Sequence, residues 1–397
     1  MHRYRVALLV ETSQIYGREL HEGIADFFEA HGDWSLFMDQ RELGAEPPKW
    51  FTHRQWDGVI SRITTPALAR AIRKMKVAAV DLTDRAKSQG FPRIQSDHRA
   101  IGAMAADHLL DRSFRSFAFC GYSGEAWSDG RLSGFRERLQ SRGFDCEVFE
   151  SAWSGSVAPS WDADEQSIGK WLKGLSRPVG LMACNDLRGQ QVLESCRRLN
   201  VEVPREIAVI GVDNDRLICR LSDPPLSSVV PNARHVGYQA AALLDSLMKG
   251  GKAPAADQLI APVRVVTRRS SDTLAVDDQD LEATLKFIQD HACRGITVAD
   301  VLKSVPVSRS FLERRFREIL GRTPHAQIRH VQLERAIELV TETELPLKQI
   351  SLMCGISHVE YLSYLFKNHT GVAPGEYRRR HGEPTRRKVH SVSSSSE

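Results

Sequence analysis

At 397 residues, with 42% hydrophobic and 26% charged residues, the chain has the composition of a soluble globular protein of two or three domains. Its net charge of +4 is unevenly placed: residues 284–397 carry 18 Lys/Arg against 12 Asp/Glu, leaving 36 against 38 for the rest. No segment approaches the roughly 18 apolar residues of a membrane span. The apolar run at 6–10 is too short for a signal-peptide core.

From residue 6 to about 271, short apolar runs alternate with amphipathic stretches. Strands are predicted at 6–10, 58–61, 78–81, 116–120, 180–183 and 207–211. Helices are predicted at 18–30, 66–75, 100–113, 129–142, 165–175, 189–199 and 235–248. That alternation implies a parallel sheet covered by helices on both faces. Ligands of such sheets sit off the carboxyl ends of the strands. Glu11, Thr12 and Ser13, then Asp81, Asn185, Asp186, Asp213 and Asn214 fall at those ends. The domain reading is 1–271, an acidic linker at 272–280, helices over 281–380, and a basic, serine-rich tail at 381–397, too poor in apolar residues to order. The seven cysteines are odd in number, form no CxxC pair, and mostly lie in apolar runs. A reducing cytoplasm fits this better than a disulfide scaffold.

The helical part holds two helix-turn-helix units in tandem, at 297–321 and 347–371. Ser308 and Ser357 have the chemistry of N-caps for the second helix of each. In the first unit Val298, Val301 and Leu302 give the support helix an apolar face, and Pro306 and Val307 make the turn. Phe311, Leu312, Phe316 and Ile319 point inward; Arg309, Ser310, Glu313, Arg314 and Arg317 point outward. Arginine can donate twice to guanine and glutamate can accept from cytosine, while Arg315 and Arg317 suit phosphates. In the second unit Leu352 and Ile356 bracket a Cys354-Gly355 turn, and Leu362, Leu365 and Phe366 are expected inside. His358, Glu360, Tyr361 and Tyr364 are the outward candidates, with Lys367 near the DNA backbone. A connecting helix at 324–340 would span roughly 25 Å, enough to carry two reading helices about one DNA turn apart, roughly 34 Å. The competing reading is a plain helical bundle, and on charge alone a solvated basic face competes equally with a polyanion partner.

The run ISLMCGIS followed by YLSYLFKNHTGVAPGEYR closely resembles the signature of the AraC-type transcription regulators. The resemblance implies a seven-helix domain that binds double-stranded promoter DNA and recruits RNA polymerase. The family's outward positions fall here on Ser310, Glu313, Arg314, His358, Glu360 and Tyr364.

In the first part, GLMACNDLRGQQVLESCRRLNVEVPREIAVIGVDND and PPLSSVVPNARHVGYQAAALL resemble the effector domain of the lactose-repressor-type regulators, itself similar to periplasmic sugar-binding proteins. That likeness implies an α/β sensor of two lobes, about 4–94 plus 231–269 and 95–230, with a sugar in the cleft. By motif match the sugar contacts are Asp81, Arg131, Trp161, Asn185 and Asp213, with Ser13, Tyr16, Asp97, Trp127, Arg188 and Asn232 as weaker candidates. Sugar hydroxyls both donate and accept, so carboxylates, amides and arginine suit them. Asp81 and Asp213 could equally cap turns, and Trp161 could be core. Lactose-repressor-type proteins carry their DNA reader before the sensor. Here the sensor begins by residue 6 and the reader comes last, an order that resembles the bacterial xylose operon regulators and implies xylose or another aldopentose as effector. Such sensors commonly form homodimers.

The fold class expected is therefore a two-lobed α/β periplasmic-binding-like sensor followed by an all-α tandem helix-turn-helix domain. No GxSxG, P-loop, GxGxxG or HExxH motif is present, and the fourteen histidines show no metal spacing. No catalytic residue, metal or cofactor is assigned. A sugar-responsive activator leads, with a repressor, a transport-type binding protein and an enzyme behind it.

Overall fold

The computed structural model describes residues 3–40, 42, 48–62, 65–85, 89–153, 158–273, 279–320 and 322–381. It divides into two compact units, Met1–Ala275 and Val276–Glu397. Most of the linker expected at 272–280 and all of the tail beyond residue 381 lie outside the described residues. No described helix is long and apolar enough to cross a membrane. All seven cysteines are free.

The first unit opens with β1 (Tyr4–Leu9), α1 (Ile15–His31), β2 (Trp34–Phe37), α2 (Lys49–Thr52), β3 (Gly58–Ser61), α3 (Pro66–Met75) and β4 (Ala78–Asp81). β5 (Ile94–Ser96), α4 (His98–Leu110), β6 (Ser116–Ser123), α5 (Ala126–Gln140), β7 (Glu147–Ala152) and α6 (Trp161–Leu172) follow. After these come β8 (Val179–Ala183), α7 (Asp186–Arg198), β9 (Ile207–Val212), α8 (Arg216–Leu221), β10 (Ser227–Val230), α9 (Ala233–Met248), β11 (Gln258–Ile260) and β12 (Arg264–Val266). Two main sheets result, one per lobe, with a two-stranded sheet of β5 and β11 beside them. The first is parallel, in the order β2-β1-β3-β4; the second runs β12-β10-β9-β8-β6-β7, with β12 antiparallel at its edge, so residues 264–266, expected in the first lobe, belong to the second lobe's sheet. β8 and β9 are buried along their whole length, as central parallel strands between helical layers must be. The chain leaves the first lobe through β5, which pairs in parallel with β11, and returns to pack α9 on α1.

The strands predicted at 58–61 and 78–81 match β3 and β4 to the residue. The helix predicted at 66–75 matches α3 to the residue, and the other six start two to four residues earlier than periodicity suggests; in α4, α6 and α7 the first turn is polar and capped by a side chain. Thr65, Asp97, Ser160, Asn185 and Asp215 each accept from a backbone amide at a helix start, the expected N-cap chemistry. β2, β5, β7, β10, β11 and β12 were not anticipated. Several are three- or four-residue pieces, and β7 is a half-exposed edge with no strong alternation.

Glycine sets the helix that carries the arginine of the cleft. α4 and α5 pack backbone to backbone: a Cβ on Gly102 would lie 2.0 Å from the Arg131 carbonyl, and one on Gly134 1.9 Å from the Arg99 carbonyl.

The second unit has seven α-helices among the described residues: α10 (Gln279–His291), α11 (Val298–Ser304), α12 (Arg309–Leu320), α13 (Pro324–Glu342), α14 (Leu347–Met353), α15 (Val359–Thr370) and α16 (Pro374–His381). One apolar cluster holds the first half, built on Leu281, Ile288, Val301, Leu312, Phe316 and Ile328. A second holds the other half, built on Ala336, Val340, Ile350, Ile356, Leu362 and Phe366. α13 runs between them, with Pro324 in its first turn and Thr323 as its cap. Thr297 and Asp300 form a capping box on α11.

Ser308 precedes α12 and accepts from the Phe311 amide at 3.2 Å. Ser357 is not a cap: α15 starts one residue later than expected, and His358 takes the N-cap position with no side-chain bond. Phe311 and Leu365, expected inside, are half-buried. Leu352 is exposed. The Ile319 side chain and Gly321 lie outside the described residues.

Gly102→Ala should destabilise the first unit by about 1–3 kcal/mol, the usual range for overpacking. Urea unfolding checks this, and a change below about 0.5 kcal/mol, the ordinary surface range, would contradict the backbone contact.

Candidate functional sites

Charged side chains from several strand ends meet where the two lobes face each other. Glu11 follows β1, Arg62 follows β3, Asp84 follows β4, and His98 opens α4 just after β5. All four are buried. Arg62 bonds Glu11 and reaches both Asp84 oxygens at 3.2 Å. Its guanidinium lies 4.6 Å from the centre of the Tyr16 ring. The Tyr16 hydroxyl is 2.8 Å from Ser96 Oγ, which donates to the Pro231 carbonyl at 3.3 Å, where the chain returns to the first lobe. His98 Nε2 stands 3.7 Å from Asp84.

The second lobe supplies Arg131 from α5 and Asp213 from the end of β9, 3.2 Å apart. Arg131 also donates to the Cys184 carbonyl and stacks on Trp127 at 5.0 Å. Trp127 Nε1 donates to Glu125 at 3.1 Å. Glu125 in turn receives Arg85 of the first lobe, Nε to Oε2 at 2.6 Å, and that guanidinium lies 5.0 Å from the Trp153 ring. An ion pair and a ring contact thus tie one lobe to the other.

Burial raises the Glu11 carboxyl despite Arg62, and raises Asp213 despite Arg131. Burial would also raise Asp84, but Arg62 and the nearby His98 hold it below its usual range. Burial, reinforced by Arg131, pushes His98 down to about 3, so its ring is neutral. Burial and the Asp213 charge push Glu19 up to about 8.

Several buried polar atoms here have no hydrogen-bond partner among the described residues: Glu11 Oε2, Ser61 Oγ, both ring nitrogens of His98, and the Nε of Arg62 and of Arg131. Buried polar atoms are nearly always bonded, so a cluster of exceptions marks a place where a polar ligand would fit. Asp213 has a φ of +103° and Asn214 of +50°, conformations that side-chain-bearing residues avoid and that gather at functional sites. Among the described residues no group of His, Cys, Asp and Glu could hold a metal ion.

The sequence candidates divide accordingly. Tyr16, Trp127, Arg131 and Asp213 come together in this cluster. Asp81 accepts from the Thr83 amide at 2.9 Å, a turn closure. Asn185 and Asp97 cap α7 and α4 through the Arg188 and Ala100 amides, each at 2.9 Å. Asn232, at φ +66°, donates to the Ala261 carbonyl at the return crossing. Trp161 is half-exposed at the start of α6, and Ser13 is exposed. Arg188 is wholly buried inside the second lobe, bonded to Asp164 at 2.6 Å, Gln191 at 2.9 Å and the Gly121 carbonyl at 3.0 Å, 4.1 Å from the Tyr122 ring. The sequence reading did not single out Arg62, Asp84, Arg85, His98 or Glu125. The strand-end rule applied after β3 would have found Arg62.

In the second unit Arg309, Ser310, Arg314 and Arg317 are exposed along α12, while Glu313 is half-buried and accepts from Arg309 at 3.1 Å. His358, Glu360, Tyr364 and Lys367 are exposed at and along α15. Tyr361 is exposed as well, and the Arg329 guanidinium of α13 lies 5.0 Å from its ring.

Comparisons with known proteins agree with this division. Residues 106–271 match the periplasmic binding protein-like domain family, and residues 301–380 a helix-turn-helix domain family. The chain is 33% identical over 387 residues to the xylose operon regulatory protein of Escherichia coli K12, covering 95% of this chain and 97% of that one. It is 30% identical over 383 residues to the protein of the same name from Haemophilus influenzae, covering 94% and 98%. A solved structure described as the xylose-binding transcription activator xylR superposes with a TM-score of 0.62 at 32% identity, covering 96% of this chain and 100% of that one.

The neutral His98 has a consequence in pH. Its folded-state pKa lies below its ordinary value, so between about pH 6.5 and about 3 the unfolded chain holds the extra proton. Stability from this group therefore falls as pH drops below about 6.5, by up to ~1.4 kcal/mol per pH unit. Urea unfolding at pH 7.5 and 5.5 should show a shallower loss in His98→Asn than in the wild type. Parallel losses would mean that the ring is free to take up a proton in the fold.

Proposed function

The chain belongs to the family of the xylose operon regulatory proteins, which are transcription regulators rather than enzymes, and on that premise we propose that an aldopentose, xylose first, binds between the two lobes and switches DNA reading by the C-terminal unit. What carries this reading is the set of buried polar atoms without protein partners, shared by groups from both lobes and their crossing strands. The chemistry suits a neutral sugar. Each hydroxyl can donate to Glu11 or Asp213 and accept from Arg131, Ser61 or His98, while the Trp127 ring offers an apolar surface. Arg62, Arg131 and Arg85 already face carboxylates, so a phosphorylated sugar would meet little uncompensated positive charge.

In this mechanism the sugar joins groups of both lobes, and the Arg85–Glu125 pair closes over it, a hinge closure of the common kind. The closed sensor acts as part of a homodimer, which sets two C-terminal readers on paired half-sites in the cytoplasm. Arg309, Ser310, Glu313, Arg314 and Arg317 of the first reader, with His358, Glu360, Tyr364 and Lys367 of the second, contact the duplex. RNA polymerase is recruited beside them. By linkage, whatever sugar does to DNA affinity, DNA does to sugar affinity.

Calorimetry with xylose, arabinose, ribose and glucose tests the cleft. One aldopentose should bind saturably, and Asp213→Ala should weaken it at least about tenfold, ~1.4 kcal/mol. Undiminished binding by Asp213→Ala, or no binding of any sugar by folded protein, would contradict the assignment. Stopped-flow tryptophan fluorescence tests the closure: Arg85→Ala should release sugar about fivefold faster and lower the unfolding midpoint, because the buried Glu125 carboxylate loses its arginine. An unaltered release rate would remove Arg85 from the mechanism.

A further inference from the structure

A buried amide joins the two readers of one chain. Gln332, in the middle of α13, is 1% exposed. Its Nε2 donates to the Ala292 carbonyl at 2.8 Å and to the Gly355 carbonyl at 3.2 Å. Ala292 belongs to the turn that closes α10 in the first half. Gly355 is the turn between α14 and α15, the second helix-turn-helix itself. One side chain therefore holds backbone from both halves. Its carbonyl oxygen accepts from Arg329 Nη1 at 2.9 Å, and Arg329 lies over Tyr361 on the second reading helix. The contact continues in the backbone: Gly355 has φ +68°, and a Cβ there would lie 2.5 Å from the Gly295 amide nitrogen and 2.8 Å from the Cys293 carbonyl oxygen. A larger residue does not fit there.

The two apolar clusters are otherwise separate sets of residues, each consolidating its own helices. The polar junction adds direction rather than mass: hydrogen bonds fix distance and angle where apolar contact alone does not. We infer that Gln332, with Arg329 and Gly355, is the positioning element that locks the two reading helices in one register, so that a single chain reads two DNA elements at one fixed spacing. The inference rests on DNA reading by both α12 and α15. Linked modules gain affinity only when their geometry allows both to engage together. Loosening the link should reduce joint engagement and relax spacing, while leaving each reader's own contacts alone.

The probe is the duplex that full-length wild-type protein selects from a random-sequence pool, with the element under each reader mapped by footprinting. Three duplexes are titrated: the selected one, one with the α15 element scrambled, and one with a single base pair inserted between the elements. Gln332→Leu removes the donor at nearly constant volume, so the Gly355 carbonyl loses its Gln332 bond and the Ala292 carbonyl keeps only the bond from the Gly295 amide. It should lose about tenfold affinity for the selected duplex but less than about twofold for the scrambled one. It should also discriminate less than the wild type against the inserted base pair. Gln332→Arg, which can donate from two nitrogens, should restore both properties.

Equal losses on all three duplexes, or full retention of spacing discrimination by folded Gln332→Leu, would overturn the inference. Failure of the wild-type protein to select any duplex would instead overturn the DNA-reading assignment beneath it. Thermal unfolding of each variant, with a two-state transition retained, separates loss of register from loss of fold.

Discussion

The structure of the sensor depends on burying charge between two lobes. Removing an arginine or a carboxylate from water costs several kcal/mol unless it is paired and hydrogen-bonded, so each lobe pairs its own buried arginine with carboxylates, and Arg85 pairs with Glu125 from one lobe to the other. Arg62 draws Glu11 and Asp84 to it from neighbouring strand ends, and Arg131 draws Asp213. Tyr16, Ser96 and the Pro231 carbonyl join that group to the crossing segments. A site of this kind is poor at maximising stability and good at specifying geometry. Its remaining unpaired atoms favour a ligand rich in hydroxyls, and its balanced charge disfavours an ionic one.

Much of the fold was legible from the sequence because the central elements obey simple rules. Gly58–Ser61 and Ala78–Asp81 are apolar runs bounded by turn residues, and Thr65-Pro66 announces a helix by cap and fixed φ together. The missed strands are short or lie at edges, where packing on one side gives no clear alternation. The glycine contacts between α4 and α5 were equally silent, since a close approach is a property of two segments and not of either.

The cleft was half legible. Arg131 and Asp213 were found by resemblance and do meet. Asp81, Asn185 and Asp97 show why the same reasoning stops short: the oxygen that would accept from a sugar also accepts from a helix or turn amide, and strand ends are where helices start. Arg62 was passed over because an arginine after an apolar strand reads as surface. Only the convergence of three strand ends makes it interior. In the reader, alternation of inward and outward residues is sound for Leu312, Phe316, Leu362 and Phe366 inside and for Tyr361 outside, while the arginine of a neighbouring helix beside the Tyr361 ring is announced by no local pattern.

Sensor and reader are linked in function only if occupancy of the cleft changes affinity at the duplex. Anisotropy titration of a selected duplex, with and without saturating xylose, measures that change, and calorimetry of xylose with and without the duplex measures its counterpart. The mechanism requires the two factors to be equal and within the roughly 5- to 150-fold range of ordinary coupling. Xylose that binds the cleft yet leaves DNA affinity unaltered would contradict it.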